Sequence, residues 1–542
     1  MRTLKGIGVS EGCAVGRITR LTHRQRVEYK ATSDPDRELG RLDAALESVR
    51  RQLDGIYEGA LARLGEEDAE IFRVHRMLLD DPDYLDAVRR EIRESKSTAE
   101  GAVFSACESF AAVFEGMDDA YLRARAADMR DVSERLVDCL SGKASARSPG
   151  EKSVLCADDL SPSETVTLDT SRVLAFVTAS GSASSHTAIL ASSLGIPAIV
   201  GVGRELLSVE DGTLAVVDGD SGILTLEPSE ALLRESEERR RLLEHRRSSL
   251  LKLKGKPSRT RDGRSVLLYA NVGGEGEVRE ALRCDAEGIG LFRSELLYLG
   301  RESAPSEEEQ TLVYRRLLKE MGKRRTVVRT LDVGADKQVG YLGLPREENP
   351  ALGLRGVRFC LANRSLFKTQ LRALYRASGA GRLAILFPMI TSERELCEVL
   401  SLCADVRREL TEAGESLCEV EHGIMIETPA AALTSDRLAP LVDFFSVGTN
   451  DLIQYTLACD RGNAAVGRFC DPHHEAVLRL IELSAKNAHA AGKWIGICGE
   501  LASDATLTET FLRMGIDELS VSPSRILSLR ERIRALDLSE KK

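Results

Sequence analysis

Phe444-Phe445-Ser446-Val447-Gly448-Thr449-Asn450-Asp451-Leu452 decides how the second half of this chain folds. A short, mostly apolar run stops at a glycine, and a polar turn follows before an apolar position returns. The run is too short for a helix. It fits a buried strand whose carboxyl end carries polar side chains.

The same layout recurs on both sides of it. Strand candidates fall at 266–270, 288–292, 326–329, 383–387, 423–426, 444–447, 494–497 and 519–521, with amphipathic stretches between them. Eight strand-then-helix units predict a TIM (β/α)8 barrel, whose site lies at the carboxyl ends of its strands. Those ends are polar here: Asn271, Arg293, Arg329, Asp332, Glu427, Asn450, Asp451, Cys498, Glu500 and Ser522.

The first half has another rhythm. Residues 3–20 alternate glycine and apolar residues, as a short strand pair would. Leu39, Leu42, Leu46, Val49, Leu53 and Ile56 then form a helical stripe, with Asp34-Pro35 as its cap and first residue. Further helices are read at 66–79, 84–94, 98–114 and 120–140, and Asp81-Pro82-Asp83 separates two of them. From residue 153 the pattern changes to short strands at 154–155, 173–177, 198–202 and 214–217, with helices at 161–168 and 187–194 between them. This predicts an α/β domain interrupted by a helical bundle. The expected boundaries are 1–25 plus 145–227 for the α/β domain, 26–144 for the bundle, 228–259 for a charged helical linker and 260–542 for the barrel.

Composition narrows the class. Of 542 residues, 43% are hydrophobic and 30% charged, as expected for a soluble globular chain. Lys+Arg 75 against Asp+Glu 85 leaves a net charge of −10, which gives no nucleic-acid footprint. An anionic small substrate would have to be held by local arginines. The start, Met1-Arg2-Thr3-Leu4-Lys5-Gly6, lacks an apolar leader core, and no apolar run reaches the roughly 18 residues of a membrane span. A cytoplasmic protein without membrane insertion is expected. The 12 cysteines are scattered without paired spacing, which argues against zinc or a disulfide framework.

Two clusters carry chemistry. Glu427 and Asp451 end successive barrel strands, and two converging carboxylates could hold Mg2+, a hard cation that prefers oxygen; solvated rim acids are the bland alternative. Arg293, Arg329 and Arg461 could bind phosphate and carboxylate groups, with Arg355 and Lys337 adding charge. Cys498, as a thiol, could give a proton to an enolate carbon; a small core residue is the alternative. In the α/β domain His186 follows the loop Ser180-Gly181-Ser182-Ala183-Ser184-Ser185 at a helix start. A helix N-terminus suits an anion, and an imidazole can carry a phosphoryl group onward. Thr165, Ser184, Ser185 and Thr187 are placed to orient the ring. A packing or capping histidine is the alternative.

Several runs together resemble a known family. They are Ser185-His186-Thr187-Ala188-Ile189, Gly288-Ile289-Gly290-Leu291-Phe292-Arg293-Ser294-Glu295, Glu427-Thr428-Pro429-Ala430-Ala431, Gly448-Thr449-Asn450-Asp451-Leu452 and Cys498-Gly499-Glu500-Leu501-Ala502. The chain is similar to enzyme I of the bacterial sugar phosphotransferase system over essentially its whole length. That resemblance implies phosphoenolpyruvate–protein phosphotransferase activity: phosphoryl passes from phosphoenolpyruvate to His186 and then to the carrier protein HPr, docked on the helical insertion. It further implies that Arg293, Arg329, Asn450, Asp451 and Arg461 bind the substrate, that Glu427 and Asp451 hold Mg2+, that Cys498 protonates the enolate to pyruvate, and that the barrel forms a homodimer. The chain departs from the family where Ala183 and Ser192 stand in place of two arginines near the histidine. The departure motivates an alternative, a phosphoenolpyruvate-sensing regulator with a weakened histidine site. Dikinases, which share the histidine domain and barrel, also need an ATP-binding domain, and the helical insertion has no glycine-rich phosphate loop.

Overall fold

The computed structural model describes all residues except 22–30, 64–65, 118–119, 143–151, 161–167, 169, 183–184, 186, 189–190, 192–194, 300, 302, 335–338, 345–346, 462 and 540–542. The chain divides into two units, Met1–Arg247 and Ser248–Lys542.

The first unit holds an eight-stranded sheet made of β1 (Arg2–Lys5), β2 (Ile7–Ser10), β3 (Cys13–Arg20), β4 (Ser153–Ala157), β5 (Val173–Thr178), β6 (Ala198–Val200), β7 (Leu214–Asp218) and β8 (Ile223–Leu226). Their order is β1-β8-β7-β3-β4-β5-β6-β2. The opening segment forms three strands rather than a pair. Gly6 and Gly12 divide it, and Gly12, at φ +124°, adopts a conformation few other residues reach. β8 escapes a sequence reading because its four residues are too few to show a period. Strands β3 and β4 pair in parallel, Ile18 opposite Val154. Parallel neighbours require a long crossover. Here the crossover contains five helices: α1 (Pro35–Arg63), α2 (Glu66–Leu79), α3 (Pro82–Glu94), α4 (Ala99–Glu115) and α5 (Ala120–Leu140).

Local signals set these helices. Asp34 Oδ1 accepts from the Arg37 N–H at 3.1 Å, and Asp81 Oδ1 accepts from the Tyr84 N–H at 2.9 Å, so each carboxylate satisfies an open helix donor. The stripe of α1 buries Leu42, Leu46, Val49 and Leu53 against Val88, Val103 and Leu136 of the bundle core. The helices expected at 161–168 and 187–194 fall largely outside the described residues; Thr187, Ala188 and Ala191 are helical.

The helix Glu230–Leu251 leads into the second unit. There β9 (Leu267–Val272), β10 (Gly288–Arg293), β11 (Arg325–Arg329), β12 (Arg382–Phe387), β13 (Glu421–Ile426), β14 (Phe444–Val447), β15 (Trp494–Ile497) and β16 (Glu518–Val521) close into a parallel barrel. The eight strands occupy the positions expected from sequence. Helices pack outside on an apolar core that includes Leu268, Ile289, Val328, Ile385, Ile424 and Phe445. Alternate residues point inward, among them Leu291, Val327, Leu386, Met425, Phe444 and Cys498, so the interior is filled. No described helix is long and apolar enough to cross a membrane. All 12 cysteines are free.

Candidate active site

Parallel register brings the carboxyl ends of β10, β11, β12, β13 and β14 to one rim: Arg293 lies beside Arg329, Arg329 beside Leu386 and Ile426 beside Val447. Glu427 follows β13 directly, and Asp451 sits in the first turn of the helix Thr449–Leu457 after β14. Both are buried, Glu427 completely. Glu427 Oε1 accepts from the Met389 N–H at 2.5 Å. Met389 presents that N–H from a left-handed conformation, φ +60°, which is unusual for a long side chain and marks a position under local constraint. Glu427 Oε2 is buried and has no hydrogen-bond partner.

Arginines lock the remaining acids. Arg355 Nη2 donates to Asp332 Oδ2 at 3.0 Å, its Nη1 donates to Asp451 Oδ1 at 3.2 Å and to the Tyr455 hydroxyl at 3.3 Å. Arg329 Nη2 donates to Glu295 Oε1 at 2.5 Å, and its Nη1 lies 3.2 Å from Asp332 Oδ2. Asp332 thus ties two guanidinium groups to one basin. Sequence reading places Asp332 among the polar strand ends but gives it no role, and gives none to Glu295. The available signal was spacing: Asp332 stands three residues past Arg329, at the same strand end.

The electrostatics follow from this packing. Burial, together with the nearby Asp451 and Asp332, pushes the Glu427 carboxyl up to about 8. Burial opposes the charge on Arg329 and Arg355, but Glu295 and Asp332 around the first, and Asp332 and Asp451 around the second, outweigh it and hold both firmly protonated. Cys498 follows β15, and its Sγ lies 3.6 Å from the Val447 carbonyl oxygen, the acceptor. Burial pushes this thiol up to about 12, against a smaller opposing effect of the Ser446 hydroxyl. It is therefore held as a thiol rather than a thiolate.

The other predicted residues lie as follows. Arg293 is exposed at the end of β10, and Arg461 is exposed in the turn after the helix Thr449–Leu457, where its N–H donates to Gln454 Oε1 at 3.1 Å. Asn450 and Glu500 clasp each other: Asn450 Nδ2 donates to Glu500 Oε1, and Asn450 Oδ1 accepts from the Glu500 N–H, both at 3.1 Å. Asn271 Nδ2 donates to the Cys498 carbonyl at 3.0 Å and so fixes the chain at the thiol. His186, Thr165, Ser184, Ala183, Ser192 and Lys337 lie outside the described residues. Near the histidine loop, Thr187 Oγ1 donates to Asp159 Oδ1 at 3.3 Å, and Ser185 Oγ accepts from the Ala188 N–H at 3.3 Å.

The donor set fits a hard divalent cation. A buried carboxylate oxygen without a partner faces mutual repulsion from other acids, and all the donors are oxygens. Among the described residues no group of three or more His, Cys, Asp or Glu could hold a metal unaided.

Comparison with known proteins bears on the whole chain. Three family models match: the PEP-utilising enzyme N-terminal model over residues 5–125, the mobile-domain model over 149–222 and the PEP-binding-domain model over 247–538. A phosphoenolpyruvate-protein phosphotransferase of Bacillus subtilis (strain 168) is 40% identical, covering 100% of this chain and 95% of that protein. The protein of the same name from Listeria monocytogenes is 41% identical over 99% of this chain and 95% of its own length. A solution structure of an Enzyme I protein (nEIt) is 36% identical over 44% of this chain and 99% of that chain, with a TM-score of 0.39.

Proposed function

The chain belongs to the PEP-utilising enzyme family, and from that premise we propose that it is a phosphoenolpyruvate–protein phosphotransferase. The observation that carries the proposal is the pairing, at one barrel rim, of the partnerless Glu427 oxygen beside Asp451 with a protonated Cys498 thiol.

Each residue then has a task. Arg293, Arg329, Arg461 and Asn450 bind the phosphate and carboxylate of phosphoenolpyruvate; guanidinium forks fit both oxyanions. Arg329, held by Glu295 and Asp332, offers a fixed charge that need not reorganise. Glu427 and Asp451 hold Mg2+, which when bound neutralises charge on the phosphoryl and enolate oxygens. His186 Nε2 attacks phosphorus; the bridging P–O bond breaks, an N–P bond forms and an enolate remains. Cys498 gives its proton to the enolate carbon, and pyruvate leaves. The phosphoryl group then passes to a histidine of HPr.

We assign residues 1–25 and 145–227 to the phosphohistidine domain, 26–144 to HPr docking, 228–259 to a linker that lets the histidine domain travel, and 260–542 to phosphoenolpyruvate binding. A homodimer through the barrel and a cytoplasmic location complete the reading. The test is incubation with phosphate-labelled phosphoenolpyruvate, Mg2+ and purified HPr. Acid-labile label on the protein and then on HPr, both lost in His186→Ala, is the expected result. Absence of label with phosphoenolpyruvate binding intact would instead favour the regulatory reading suggested by Ala183 and Ser192.

A further inference from the structure

One buried acid in the barrel has no part in the chemistry above. Glu518 opens β16 and is 1% exposed. It pairs in register with Gly496 of β15. Side chains two apart on a strand share a face, so Gly496 lies directly below Cys498 in the interior of the barrel, about 7 Å along the strand. Having no side chain, Gly496 leaves a gap there. Glu518 fills it: a Cβ at Gly496 would overlap Glu518 Oε2. A second glycine, Gly290 of β10, leaves space on the other side that Ser520 and Glu518 share: a Cβ there would meet Ser520 Oγ at 2.5 Å and Glu518 Oε1 at 2.7 Å. That Oε1 is fully buried and has no hydrogen-bond partner.

Two absent side chains on separate strands therefore admit a carboxyl group beneath the thiol. Burial holds this carboxyl protonated well above the ordinary carboxylate range; Arg325 opposes that effect and Asp517 adds to it. Glu518 is also among the groups that raise the thiol of Cys498, and Tyr269 responds to it as well. Arg325 comes from β11, stacks over Trp494 at 4.5 Å and is bonded to Glu421 and the Tyr269 hydroxyl, so its charge is fixed at the amino-terminal end of the barrel.

Resting on the phosphotransferase reading, we propose that Glu518 reloads Cys498 between turnovers. Each pyruvate formed leaves Cys498 as a thiolate that is almost closed off from solvent. The O–H bond of the Glu518 carboxyl breaks and the S–H bond of Cys498 re-forms. The resulting Glu518 carboxylate is countered by the Arg325 charge until water re-forms its O–H bond and leaves hydroxide. A thiol is the weaker acid of the two, so the transfer runs toward sulfur. Glu518 acts through Cys498 and never meets the substrate.

The test separates the first turnover from later ones. Rapid-quench measurement of pyruvate with Mg2+, phosphoenolpyruvate and excess HPr is made on the full chain and on Glu518→Gln, with melting curves for both. The variant should release one pyruvate per site at the unmodified rate. Its steady-state rate should then fall about ten-fold or more, with a larger slowing in D2O. A steady-state rate equal to that of the unmodified chain overturns the proposal. So does an equal loss in both phases, which would make Glu518 a packing residue. If the unmodified chain itself releases no pyruvate, the phosphotransferase reading fails, and this inference with it. Gly496→Ala, which displaces the flexible end of Glu518, should give the same split between phases and decides the matter should Glu518→Gln not fold.

Discussion

Arg355 Nη1 donates to Asp451 Oδ1 at 3.2 Å, so a proposed metal ligand is held by a cation of the protein itself. The same guanidinium spans to Asp332, and both acids are nearly inaccessible. Removing one member of such a set strands the others as uncompensated buried charge, at a cost of about 3–5 kcal/mol. Arg355→Ala should therefore lower the unfolding midpoint of the barrel. Mg2+ should restore more stability to the variant than to the unmodified chain, because it supplies the missing charge. Melting curves with and without Mg2+ check this, and equal metal effects on the two proteins would contradict it.

The thiol of Cys498 should be chemically quiet. With its acidity pushed up to about 12 by burial, it stays protonated throughout the range from neutral to pH 10. Alkylation requires the thiolate. At pH 8, iodoacetamide should modify the exposed Cys397 and Cys418 while sparing Cys498. Reaction at Cys498 should grow only as the pH approaches 12, short of unfolding. Peptide mass spectrometry over a pH series reads the order, and early modification of Cys498 would remove the case for it as a proton donor.

Gly448 sits against Glu427, the proposed metal ligand. A Cβ there would come within 2.9 Å of Met425 Sδ and 3.0 Å of Glu427 Oε2. Met389 pins Glu427 from the other side. Gly448→Ala must therefore move Glu427 or strain it, an overpacking cost of about 1–3 kcal/mol. The barrel should still fold, but the Mg2+ concentration that half-saturates phosphoenolpyruvate turnover should rise several-fold. An unchanged Mg2+ titration would argue against Glu427 as a ligand.

What the sequence could show followed from local rules. Strand ends such as Val447-Gly448, the cap Asp34 and the helix break at Asp81-Pro82 are set by a few adjacent residues, and they appear where the spacing predicts them. Glu427 and Asp451 stood out because each closes a strand. Arg355 stood out only as added charge, not as the partner of Asp451, because Asp451 is 96 residues away and only barrel closure brings them together. Glu518 was hidden for a related reason: the space it occupies is created by Gly496 and Gly290 on other strands. Met389 contributes a backbone N–H set by its own dihedral angle, which no side-chain pattern displays.

The departures at Ala183 and Ser192 give the last prediction. The family resemblance places arginines at these two positions, beside the phosphoryl group that His186 is proposed to carry. A charge-assisted hydrogen bond to such a group contributes about 1.5–3 kcal/mol. If that contribution arises in the transition state, each cation regained should speed transfer from the labelled protein to HPr by about ten- to a hundred-fold. Ala183→Arg and Ser192→Arg, singly and together, test this by rapid quench, with the melting temperature as a control for folding. Gains that add in the double variant would show two independent contacts. Unchanged transfer in all three would mean that the hydroxyl-rich loop Ser180-Gly181-Ser182-Ala183-Ser184-Ser185 supports the phosphoryl group without them, through N–H and O–H donors alone.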